Sequence, residues 1–194
     1  GEAAGIAGNF NKLQYYPDDA TVKFDFNFNL KAIIAIAPSD QQYKPSGWPN
    51  PLTNVNYLTI QGAHDADVSV FSGARQYNRV KFTGGGDYFK AYIYSYRSNH
   101  GQFNTVWGDT DFGMPLQLLL NRRALLNGEE QRALGKTYFT AFLEAVLLNK
   151  KEYVPLFRDY RTGLDWLPED YYINRYEDTT FQVICDFDED VDVT

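Results

Sequence analysis

The sequence predicts an α/β domain in which a mostly parallel sheet is flanked by helices. Three short apolar or aromatic runs, at residues 30–37, 55–61 and 88–96, read as strands. Helical patterns or long connections separate them, and strands joined in that way pair in parallel. A chain of 194 residues that is 44% hydrophobic and 16% aromatic has the size of one domain and can bury a sizeable core.

The elements follow in chain order. Residues 1–13 are rich in alanine and small side chains, and Ala4, Ala7, Phe10 and Leu13 fall close to helical spacing. Pro17, Asp18 and Asp19 signal a turn, and the alternation in VKFDFNFNL that follows fits a short extended stretch or hairpin arm. The run LKAIIAIA, Leu30 to Ala37, is too short for most helices and rich in isoleucine, so a core strand buried on both faces is expected. Residues 39–54 hold Pro45, Pro49 and Pro51 and read as a long surface connection. VNYLTIQ forms a second strand ending at Gly62, DVSVFSGARQYNRV supplies a helix or helical turn, and YFKAYIYSY forms a third strand. Helices are expected over Pro115–Leu126 and Asn127–Asn149. The second opens with a capping box, Asn127 with Glu130, and carries an apolar stripe at Leu134, Tyr138, Phe142 and Val146. From Lys150 the pattern weakens into an aromatic, charged stretch.

Charge and composition exclude several classes. A net charge of −7 sets a nucleic acid or an anionic membrane against general repulsion, so neither is expected as a primary partner. No apolar run approaches the roughly 20 residues that cross a bilayer. Cys185 is the single cysteine, which rules out an internal disulfide and leaves the compartment open, secreted or periplasmic locations included.

Two short segments concentrate the chemistry. Gly62-Ala63-His64-Asp65-Ala66-Asp67-Val68 lies at the end of the second strand, where α/β folds place ligand and catalytic loops. A carboxylate there, Asp65 or Asp67, is placed either to accept a hydrogen bond from a histidine ring or to cap the following helix. Ser98-Asn99-His100-Gly101-Gln102-Phe103-Asn104 follows the third strand. The chain has two histidines, His64 and His100, and each sits at a strand end, which favours a general-base role for His100 over an unremarkable surface ring. Asp109 and Asp111, beside Trp107 and Gly108, read as turn-capping aspartates, with a cation site or the border of an acyl pocket as the alternatives. Asp186, Asp188, Asp190 and Asp192 alternate with other residues and read as an acidic edge or linker, because the glycine turn and distal glutamate of a calcium loop are missing.

Taken together, IIAIAPSD, NYLTIQGAHDADV and YIYSYRSNHGQFN resemble the last core strands of the α/β-hydrolase fold, in its dienelactone-hydrolase-like and polyester-hydrolase-like branch. That fold orders its triad as nucleophile, acid, histidine. The resemblance maps the acid onto Asp65, through Gly62, Asp65 and Val68, with Asp67 as fallback. It maps the general base onto His100 and leaves His64 as a structural neighbour. It implies hydrolysis of a small-molecule or polymeric ester with no cofactor. No G-x-S-x-G occurs in the chain, whereas Gly1-Glu2-Ala3-Ala4 looks like the tail of the family's G-x-S-x-G-G-E. The resemblance therefore implies that the serine, with the early strands and one oxyanion donor, belongs to a missing N-terminal portion of the same domain. Residues 1–180 are then the downstream part of a catalytic domain, 181–194 are an acidic edge strand or linker, and the chain alone is inactive. Two other classes remain open: a metal-dependent hydrolase built on His64, Asp65, Asp67 and His100, and a non-catalytic carbohydrate- or protein-binding module.

Overall fold

The computed structural model describes residues 2–11, 13–16, 18–26, 28–40 and 52–184. Its centre is a four-stranded sheet of β3 (Ala32–Ile36), β5 (Asn56–Gly62), β7 (Phe89–Ser95) and β8 (Tyr172–Asp178), in that spatial order. The first three are parallel, and β8 closes one edge antiparallel to β7. Before them come helix α1 (Glu2–Phe10) and a hairpin of β1 (Tyr15–Tyr16) and β2 (Asp19–Lys23). Short β4 (Leu52–Thr53) pairs in parallel with β6 (Val80–Lys81), directly after helix α2 (Ser72–Arg79). Helices α3 (Gly128–Leu147) and α4 (Val154–Arg158) lie between β7 and β8 in sequence.

Side chains alternate across the sheet and build a core on each face. Leu58 and Ile60 of β5 and Phe89, Ala91 and Ile93 of β7 pack against Leu134, Tyr138, Phe142 and Ala145 of α3 and Leu156 and Phe157 of α4. On the opposite face Ile33, Ala35, Tyr57 and Tyr92 pack with Tyr77 of α2 and with Val80, Leu52 and Val55. Helices therefore cover both faces, as the parallel pairing requires. The capping box that starts α3 is formed. Asn127 Oδ1 accepts from the N–H of Glu129 (3.0 Å) and of Glu130 (2.9 Å), and the Asn127 N–H donates to Glu130 Oε2 (3.0 Å). Of the expected stripe, Leu134, Tyr138 and Phe142 are fully buried and Val146 is partly so.

Two expectations change, and one strand is new. The run Leu30–Ala37 does form a strand, but it is the sheet's edge. Its Ile33 and Ala35 are buried while Ile36 is 40% exposed, because only β5 pairs with it and the second face is only partly covered. Pro115–Leu126 is not an α-helix. It makes two 3-10 turns, Leu116–Leu119 and Arg122–Ala124, because Leu116, Leu118 and Leu119 face solvent and no buried apolar stripe stabilises a longer helix. The strand β8 has no counterpart in the sequence reading. Its alternation of buried and exposed positions is spread over charged and aromatic residues rather than aliphatic ones. Residues 181–184 form no strand, and the acidic tail from Cys185 onward, like Pro45, Pro49 and Pro51, lies outside the described residues.

Candidate active site

The parallel register brings two strands to the same rim: Tyr57 pairs with Lys90, and the pairing runs on to Gly62 opposite Ser95. The loops that follow are therefore neighbours. The N–H of Ala63 donates to Ser95 O (2.9 Å) and that of His64 to Ser98 O (3.0 Å). Gly62 is required at this crossing, because a Cβ there would collide with the Ser98 carbonyl.

Asp65 and His100 meet. His100 Nδ1 lies 3.0 Å from Asp65 Oδ2, and the Asp65 side chain is 1% exposed. The other carboxylate oxygen, Oδ1, accepts the N–H of Val68 at 2.6 Å, which fixes the group in one orientation. A carboxylate only accepts, so His100 Nδ1 carries the proton and the neutral ring presents the Nε2 lone pair. The Asp65 hydrogen bond holds the imidazole above the usual histidine range. Burial opposes that rise, and the charges of Asp65, Asp67 and Asp111 add to it. Asp67 is more than half exposed and lies 3.5 Å from Nε2, on the far side of the ring from Asp65. Trp107 stacks on the imidazole, with centroids 5.7 Å apart and planes 13° from parallel.

His64 takes no part in this pair. Its Nδ1 donates to Tyr96 O (2.6 Å), and its ring meets Tyr96 edge-on. Of the four residues of the metal-hydrolase alternative, Asp65, Asp67 and His100 meet while the His64 Nδ1 is engaged by Tyr96 O, and no cluster of three or more metal-ligating side chains occurs among the described residues.

Several supports went unnoticed at the sequence level. Gln131 of α3 holds both backbone polar groups of Asn99 in the histidine loop: Oε1 accepts the Asn99 N–H (3.1 Å) and Nε2 donates to Asn99 O (2.8 Å). Gln61, inside β5, donates from Nε2 to Val70 O (2.8 Å) and so anchors the acid loop downstream of Asp65. Ser95 Oγ donates to Asp170 Oδ2 (2.5 Å) and the Arg97 N–H to Asp170 Oδ1 (3.0 Å), which ties the rim to the start of β8. The turn aspartates divide. Asp109 pairs with Arg122 at the surface, whereas Asp111 accepts hydrogen bonds from both rim loops. The polar side chain at 131 falls in line with the apolar stripe of Leu134, Tyr138 and Phe142, and that was the signal available in the sequence. A cavity of about 240 Å³ is lined by His64, Asp65, Asn99, Asp111, Leu119 and Arg122, among others.

The chain matches no family model and no curated protein.

Proposed function

We propose that this chain supplies the acid and the general base of a Ser-Asp-His acyl hydrolase of the α/β-hydrolase type, with Asp65 as the acid and His100 as the base. The contact of Asp65 Oδ2 with His100 Nδ1, made between loops at adjoining parallel strand ends, carries the reading. In this scheme Nε2 takes the proton of the nucleophilic serine, the imidazolium that forms is stabilised by Asp65, and the proton then passes to the leaving alcohol. Backbone amides hold the oxyanion. In this reading the nucleophilic serine precedes the acid and the histidine, as the resemblance to the α/β-hydrolase fold implies. The substrate class is a carboxylic ester, small or polymeric.

The test is turnover of p-nitrophenyl esters by the 194-residue chain alone and by the chain joined to its upstream sequence. The joined protein should be active and should lose at least about 10⁴-fold in kcat on His100→Ala. Turnover by the 194-residue chain alone, abolished by His100→Ala, would overturn the upstream nucleophile. An inactive joined protein would overturn the hydrolase reading.

A further inference from the structure

The hydrolase reading needs two loops held in register, and one side chain belonging to neither loop touches both. Asp111 spends all of its acceptor capacity on them. Its Oδ2 accepts the N–H of Ala66, next to the acid Asp65, and the N–H of the base His100, each at 3.0 Å. Its Oδ1 accepts Asn99 Nδ2 at 2.7 Å and the Gly101 N–H at 2.9 Å. None of the three amides lies in a helix ladder or sheet ladder that would otherwise satisfy it, and Asn99 and Gly101 are buried. Four donors converge on one carboxylate, and charge-assisted bonds of this kind are stronger than neutral ones. Gly101 allows the close approach, since a Cβ there would meet Gly108 O at 2.5 Å and Asp111 Oδ1 at 3.3 Å.

We infer that Asp111 is a positioning residue that locks the Asp65 loop to the His100 loop, so that the distance between acid and base is set by a carboxylate outside the triad. The inference rests on the hydrolase reading for its catalytic consequence, but not for its structural one. A bond from a single oxygen to the residue after the acid and to the base itself transmits any displacement of one loop to the other. Asn99 acts as the second hinge, because Gln131 of α3 holds its backbone N–H and C=O while Asp111 holds its side chain. The negative charge of Asp111 also supports the protonated imidazole, as a smaller contribution than the Asp65 hydrogen bond and the charges of Asp65 and Asp67.

Asp111→Asn separates this role from bulk. The amide keeps the size of the carboxylate but offers one accepting oxygen, so its NH₂ opposes one pair of N–H donors. The chain has two histidines, so the His100 ring signals can be followed by NMR. In the unsubstituted chain a low-field Nδ1–H signal should be present and should disappear in Asp65→Asn. In Asp111→Asn that signal should broaden or shift upfield, and the His100 pKa should fall toward about 6.5. Asp109→Asn, a surface carboxylate two residues away, should change neither. In the joined, active protein Asp111→Asn should lower kcat by about 10- to 100-fold with little change in KM. A folded Asp111→Asn protein with an unmoved Nδ1–H signal and pKa overturns the inference. If that variant does not fold, amide exchange in the unsubstituted chain decides: Ala66, His100 and Gly101 should exchange slowly as a group, and exchange at free-loop rates overturns it. A missing Nδ1–H signal in the unsubstituted chain would instead count against the hydrolase reading, leaving the amide-exchange result to judge Asp111.

Discussion

At the scale of single residues, the two carboxylates on His100 are not equivalent. Asp65 is buried and anchored by the Val68 N–H, while Asp67 is largely in solvent. A screened charge contributes little, so in the joined protein Asp67→Asn should change ester turnover by no more than a few-fold. Asp65→Asn should lower kcat by about 10⁴-fold, because the amide no longer selects the tautomer that leaves Nε2 free. Comparable losses in both variants would remove Asp65 from the role of acid. The pH dependence has a definite sign. The folded His100 pKa is raised above its unfolded value of about 6.5. Its stabilisation is therefore complete below that value and is lost as pH rises through the folded pKa. The thermal midpoint of the unsubstituted chain should exceed that of His100→Gln by most in mildly acidic buffer, with the gap closing in mildly alkaline buffer. Turnover should move the opposite way, since the base must be neutral to accept a proton. The two loops were legible in the sequence because each follows a strand that stops cleanly, whereas the choice of Asp65 over Asp67 came from the resemblance to the α/β-hydrolase pattern at Gly62, Asp65 and Val68. Asp111 read first as a turn-capping residue, with a cation site or a pocket border as alternatives, since nothing local indicates that its oxygens reach residues 45 and 11 positions away.

At the scale of elements, α3 both fills the core and holds the site. Gln131 is fully buried, and Gln131→Leu would leave the Asn99 N–H and C=O without partners. Each orphaned buried group costs about 1–3 kcal/mol, so the thermal midpoint should drop and the His100 ring signals should broaden. Asn127→Ala removes the cap of the same helix at a cost of about 1 kcal/mol and should leave the His100 signals in place. Identical His100 spectra in the two variants would mean that α3 does not hold the histidine loop. The capping box was readable because it is local, a residue and its third neighbour. The coupling of Gln131 to residue 99 joins a helix to a loop 32 positions earlier. The expected helix over Pro115–Leu126 failed for the converse reason. Apolar residues at helical spacing are necessary for a helix, but it is burial that stabilises one, and Leu118 and Leu119 are 73% and 82% exposed.

At the scale of the whole molecule, the sheet is closed on one side and open on the other. The antiparallel strand β8, with Arg175, Glu177 and Asp178, covers one edge with charge. The other edge is β3, an uncharged AIIAI run with no strand beyond it among the described residues. Such an edge templates further pairing. The isolated 194-residue chain should show concentration-dependent association by light scattering, reduced by Ile36→Lys. Association unchanged by that substitution would place the contact elsewhere. The sequence by itself determined the α/β class, the three parallel strands, the capped helix and the two loops that hold Asp65 and His100, because periodicity, caps and strand ends are written within a few neighbouring residues. Only the tertiary structure decided that β3 lies at an edge, that β8 closes the sheet, and that Asp111 and Gln131 brace the site. Those outcomes depend on which distant segments share a surface, and burial and hydrogen-bond satisfaction are settled there rather than along the chain.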